Sequence, residues 1–206
     1  MGQKHTLCGL FLAALLGIQS PSSVAEGLYF GSTWSHYEAD YDGVVSLTGG
    51  AEIDDQGTGF KVITGYRLHK LFSMELQYAD FGDVSLTMPN GSSVTKGAVT
   101  TTNGTGTTVT SVVESTSYGI GAMLTIPFRS VKPYLKYGLH SWDTSRVIGA
   151  GSADIFAITV DGTDLYRGVG FDIPISDLFF TRLEYETYDF EDDKISLVNF
   201  GLFLQF

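Results

Sequence analysis
The chain has 206 residues, 43% of them apolar and 13% aromatic, which excludes a disordered protein and makes one domain the expectation. Its 12 basic and 23 acidic residues give a formal charge of -11, the wrong sign for a protein that wraps nucleic-acid phosphate. Cys8 is the one cysteine, so neither an internal disulfide nor a cysteine-based zinc site is available.

The first 25 residues read as an export signal that is removed. Lys4 and His5 precede an apolar run from Leu7 to Ile18, and Ser23 and Ala25 stand where a signal peptidase takes small side chains. Twelve residues at about 1.5 Å each fall short of the roughly 30 Å hydrocarbon core, so this is not a spanning helix. The rival, a lipoprotein anchored through Cys8, lacks small residues and a greasy run before the cysteine. The domain then runs from Glu26 to Phe206.

No later window is apolar enough for a membrane helix, and alternation with a period of two recurs instead. Leu28, Phe30, Ser32 and Trp34 alternate with Tyr29, Gly31, Thr33 and Ser35, and Phe60 to Leu68 continues the pattern. After a turn at His69 to Leu71, Phe72, Met74, Leu76 and Tyr78 form one greasy face. Tyr118 to Ile126, a turn at Pro127 to Ser130, and Tyr134 to Trp142 make the next pair. Leu165 to Ile173, a turn at Pro174 to Asp177, and Leu183 to Glu186 follow, and the chain closes with Val198, Phe200, Leu202, Leu204 and Phe206 on one face. The expectation is eight antiparallel strands of about ten residues each, closed as an up-and-down barrel.

The second face of these strands holds glycine, serine, threonine and a few ions, which fits an eight-stranded lumen only wide enough to be filled by side chains. The first face carries whole-length aliphatic runs edged by Tyr and Trp, which fits lipid. A lipocalin-like soluble barrel would show Phe72, Met74, Leu76, Tyr78 and their neighbours to water, a patch larger than soluble monomers expose. The reading is therefore all-β, an eight-stranded transmembrane β-barrel.

Gly59 to Leu68, continued by Met74 to Gly82, resembles the second and third strands of OmpA-like and OmpX-like outer-membrane β-barrels. Pro133 to Leu139, Asp164 to Gly170 and Leu183 to Tyr185 resemble the later strands of that family in the same order, and Phe206 is similar to its terminal assembly signal. The resemblance implies a Gram-negative outer-membrane location among lipid and lipopolysaccharide, insertion by the barrel-assembly machinery, and often no enzymatic activity, although some small barrels of this kind act on lipid A. A periplasmic peptidoglycan-binding domain after Phe206 is not expected, so a tethering role is not carried over from the resemblance.

With both termini periplasmic, the connections at 69–71, 127–131 and 174–178 become short periplasmic turns. Those at 39–58, 82–112, 143–163 and 189–194 become long external loops. Glu75, Lys136 and Arg182 fall at matching heights above the turns, and Arg67, Glu184 and Glu186 are expected to join them in a lumen ion cluster. Such a cluster reads as structural, because a buried charge left alone is costly. The functional alternative is a gate in a narrow, porin-like pore for ions and small solutes. Outward-facing positions are assigned to Phe72, Met74, Leu76, Tyr78, Phe200, Leu202 and Leu204.

Seventeen acidic residues flank or occupy the loops against Lys96, Arg146 and Lys194, leaving the rim near -14, either simply a solvated surface that keeps neighbours apart or a field that favours basic partners. Asp40, Asp42, Asp54 and Asp55 offer oxygens to calcium, but no loop repeats the spaced pattern of an EF-hand, and no metal or cofactor is expected. Between Thr95 and Thr110 stand eight threonines with interleaved glycines, either a disordered tip or a β-ribbon whose free edge takes a partner strand. A lipid A deacylase would need serine beside histidine, and in His140-Ser141 the two point to opposite faces. His140 itself reads as a hydrogen-bonding residue. The expectation is a monomeric, non-enzymatic barrel whose external loops serve adhesion or envelope integrity.

Overall fold
The computed structural model describes residues 27–40, 44–128, 130–150, 153–191 and 193–206. The export signal at 1–25, Cys8, Asp42, Arg129 and Asp192 lie outside the described residues, as do the side chains of Asp40 and Asp154.

All regular structure among the described residues is β. The strands are β1 (Leu28–Asp40), β2 (Val44–Thr48), β3 (Glu52–Asp54), β4 (Gln56–His69), β5 (Phe72–Met88), β6 (Ser93–Lys96), β7 (Val99–Thr102), β8 (Val109–Thr125), β9 (Lys132–Ala150), β10 (Ala153–Pro174), β11 (Phe179–Phe190) and β12 (Asp193–Gln205). Eight of them, β1, β4, β5, β8, β9, β10, β11 and β12, pair antiparallel with their neighbours in chain order. The circle closes where β1 meets β12, with Tyr29 opposite Gln205 and Asp40 opposite Lys194.

Burial alternates residue by residue. In β9, Tyr134, Lys136, Gly138, His140 and Trp142 are buried, while Leu135 is 59% exposed. The exposed set forms an unbroken apolar belt that includes Trp34, Phe60, Leu124, Leu139, Phe171 and Phe200. A belt of that extent belongs in lipid, not water. Phe72, Met74, Leu76, Phe200 and Leu202 lie on it exposed, and Tyr78 and Leu204 lie on it half-buried.

The inside is narrow enough that large side chains need small ones beside them. In six cross-strand pairs a lumen aromatic stands directly opposite a glycine: Tyr29 with Gly65, Tyr37 with Gly57, Tyr134 with Gly170, Trp142 with Gly162, Tyr166 with Gly138, and Phe203 with Gly31. In each pair the ring lies over the glycine, in the space a Cβ would need. Alternating large and small positions therefore fill the barrel without strain, the same device that rescues glycines in designed sheets.

The strands differ from the expectation in length. They run from 12 residues in β11 to 22 in β10, not about ten, and a crossing needs only about 9–11. The surplus lies at one end. There β5, β8, β9 and β10 rise together, joined by β3 on the outer edge of β5, as a curved palisade of five strands. A second sheet, β2-β6-β7, stands against it. The expected loop at 143–163 is thus a paired hairpin, Asp143 to Ala150 against Ala153 to Asp161. The expected long loop at 189–194 is a tight turn, with Glu191 at φ +49. Hydrogen bonding between strands does not stop where lipid stops, which is why a reading based on greasy faces ended these strands too early.

Candidate functional site: a closed lumen and its open end
Three layers fill the lumen, each assembled by inward positions of several strands. Nearest the chain termini, Tyr29, Ile63, Phe180 and Phe203 form an apolar plug, with Phe180 and Phe203 stacked 4.9 Å apart. Above it lies a layer of ions. Higher still, Tyr166 and Tyr188 stack at 5.1 Å beneath Phe81, Phe190 and Trp142.

The ion layer has three cations and four carboxylates, none more than 3% exposed. Lys136 Nζ on β9 lies 2.6 Å from Glu184 Oε2, 2.7 Å from Glu75 Oε2 and 3.2 Å from Glu186 Oε1. Lys61 Nζ on β4 is 2.7 Å from Glu184 Oε1 and also contacts Glu186. Arg182 on β11 sets Nη1 2.7 Å from Glu75 Oε1 and Nε 2.7 Å from Asp172 Oδ1. Neutral donors complete the layer: Tyr29 donates to Glu75 and Tyr134 to Glu184, each at 2.5 Å, and Asn199 Nδ2 donates to Glu186 at 3.1 Å. The Arg182 guanidinium also stands 4.5 Å from the Phe203 ring centre, so its faces are covered as well as its edges. Buried charges persist only when paired and hydrogen-bonded; here Asp172 is held by two bonds from Arg182 alone, and each of the others has two or more partners.

Of the residues assigned to this cluster from sequence, Glu75, Lys136, Arg182, Glu184 and Glu186 are brought together and Arg67 is not. Arg67 lies two residues nearer the turn than the position facing Glu75, and its Nη1 donates to Gln205 Oε1 at 2.9 Å. Lys61 and Asp172 belong to the cluster and were missed. Both stood on the inward face of the alternation, so parity carried half the signal. Their heights depend on how neighbouring strands are staggered, which one strand's pattern does not reveal.

His140 is buried in the upper layer. Its Nε2 faces the Asp189 carbonyl at 2.9 Å and its Nδ1 faces Ser117 Oγ at 3.1 Å. A carbonyl only accepts, so Nε2 carries the proton and Nδ1 accepts from the serine. This serine-histidine contact, across β8 and β9, was invisible in sequence; Ser117 and His140 are each 1% exposed, and among the described residues no carboxylate hydrogen-bonds the ring. Among the described residues no three histidine, cysteine or acidic side chains converge on a metal position.

The Thr/Gly-rich hairpin keeps a short free edge on β7, which pairs with β6 alone among the described residues, while its stalk is covered. β3 covers β5 and β9 covers β8, while the tip is ordered by Asn103, whose Nδ2 donates to the Met88 and Thr107 carbonyls. A longer free edge lies on β10. β10 pairs with β9 from Ala153 onward but with β11 only from Tyr166, so Ala153 to Leu165 has a strand on one side only among the described residues. Arg167, also missed, stands on the outer wall and reaches Asp189 Oδ2 at 3.4 Å.

Residues 8–206 match the outer membrane protein beta-barrel domain family. The chain belongs to that family. Its location is therefore the outer membrane, where short turns are periplasmic and long hairpins external, and the palisade is the extracellular end. No curated relative matches the sequence. Among solved structures the barrel is similar to Ail of Yersinia pestis in complex with the heparin analogue sucrose octasulfate, with a TM-score of 0.52 and 14% identity over 88% of this chain and 97% of that one. It is also similar to Neisserial surface protein A, with a TM-score of 0.53 and 16% identity over 87% and 97%. OprG from Pseudomonas aeruginosa gives a TM-score of 0.54 and 12% identity over 88% and 95%. At these identities the likeness is one of fold, shared by small outer-membrane barrels.

Proposed function
We propose that this barrel is a monomeric, non-enzymatic surface protein that serves adhesion or envelope integrity by presenting an acidic, strand-built external face to a partner. The observation that carries this reading is the unpaired edge of β10, Ala153 to Leu165, on a palisade longer than the membrane requires. Natural proteins cover or charge such edges unless a partner strand uses them. Exposed Asp161 lies on that edge, and the surrounding rim is acid-rich, which favours a basic extended segment and speeds its encounter. A polysulfated ligand of the kind bound to Ail would meet repulsion over most of this rim.

The pore reading is weaker, because apolar layers above and below the ion cluster leave little continuous water path. Export through the 1–25 signal, insertion by the barrel-assembly machinery using Phe206, and a lipopolysaccharide environment fit the same account.

The test uses cells displaying the protein and a fluorescent peptide of alternating valine and lysine. Ala157→Pro and Ile158→Pro are compared, since only one of these amides points to the open edge. Binding that falls in one variant and in Asp161→Asn supports the reading. Binding unaffected by all three contradicts it.

A further inference from the structure
The external end holds an apolar cleft. One cavity, of about 150 Å³, rests on Phe81, Trp142 and Phe190 at the barrel mouth. The next, of about 420 Å³, lies between the palisade and the small sheet and is walled by Ile53, Leu86, Met88, Val94 and Ile148. They adjoin, since both are lined by Val84, Val113, Arg146 and Asp193. The larger falls within the roughly 300–1,000 Å³ of small-molecule sites. The cleft is half open to solvent, so an alkyl chain laid along its aliphatic wall removes apolar surface from water.

The charges at this cleft run against the rest of the rim. Lys96 on β6, Arg146 on β9 and Lys194 on β12 come from three separate connections; Lys96 lines the larger cavity, Lys194 the smaller, and Arg146 stands at the junction and lines both. Two acids line them too, Glu191 and Asp193, and Asp193 pairs with Lys96 at 3.3 Å. Arg146 and Lys194 have no ion-pair partner among the described residues. The remaining external base, Arg167, is held by Asp189 on the outer wall. An acidic surface thus gathers its few bases around its apolar opening.

We propose that this cleft binds a single-chain amphiphile with an anionic head, a free fatty acid, its alkyl tail between the sheets and its carboxylate at Arg146 and Lys194. Guanidinium and carboxylate match in geometry, and burial of the tail supplies the affinity. The site differs from the β10 edge, so it stands or falls independently of the surface-partner reading.

The protein carries two tryptophans, Trp34 on the lipid face and Trp142 on the cavity floor. In a Trp34→Phe background reconstituted in lipid nanodiscs, Trp142 reports the cleft. Titration with bromine-labelled dodecanoate is expected to quench it saturably. Unlabelled competitors should weaken about fourfold for each methylene removed. Arg146→Gln with Lys194→Gln, both exposed and so neutral for folding, should weaken dodecanoate at least tenfold but leave neutral dodecanol unchanged. Val113→Phe, which fills the junction, should abolish quenching while the folded barrel keeps its gel mobility. Quenching that never saturates and follows partition into the disc lipid overturns the proposal, as does saturable binding indifferent to head charge and to the paired variant.

Discussion

Arg182 spans the lumen from β11 to place its Nη1 2.7 Å from Glu75 Oε1 on β5, while its Nε holds Asp172 on β10. One guanidinium thus ties the neighbouring strands β10 and β11 to β5, whose Glu75 lies 107 residues away in sequence. Replacing it with methionine leaves two carboxylates buried without that partner. The expected loss is about 3–5 kcal/mol, read as an earlier midpoint in urea unfolding from lipid vesicles.

The same layer holds four carboxylates against three cations, so the two signs are not equivalent. Lys61→Met adds to the imbalance and is expected to cost as much as the arginine change. Glu186→Gln relieves it and keeps an acceptor for Asn199 and Tyr188, so its cost is expected below about 1.5 kcal/mol. Equal losses in the two variants would show that charge balance does not govern the layer.

The ring of Tyr29 covers Gly65 where a methyl group would sit. Gly65→Ala is expected to cost about 1–3 kcal/mol through overpacking. In a Tyr29→Ala background the same change should cost much less. The double-mutant cycle in urea measures this coupling directly.

These residues also mark what could be read before the structure. Parity along each strand placed Tyr29, Gly65, Glu75, Lys136 and Arg182 on the inside, because a period of two follows from the backbone alone. Height did not follow. Lys61 and Asp172 joined the cluster and Arg67 left it because the stagger between strands is a property of the closed barrel. The external architecture was the least legible part. Its strands extend beyond the greasy band, and pairing of β3 with β5, or of β2 with β6, joins segments in which β2, β3 and β6 have only five, three and four residues, too short for alternation to mark a face. The convergence of Lys96, Arg146 and Lys194 has no counterpart in linear order.

Arg167 and Asp189 offer a contrast in magnitude. Their 3.4 Å contact is exposed, and the arginine side chain is more than half accessible. Arg167→Gln is expected to shift stability by less than about 1 kcal/mol, several-fold below the change at Arg182. Parallel unfolding curves for the two variants separate an outer-wall pair from a lumen pair.

Central to this account is a lumen closed by its own side chains. Single-channel recording in planar bilayers tests it most directly, with the wild type beside Glu75→Gln and Lys136→Met. The account predicts no steady conductance from any of the three, with lower thermal stability in both variants. A steady, cation-selective conductance from the wild type, altered by either substitution, would contradict it.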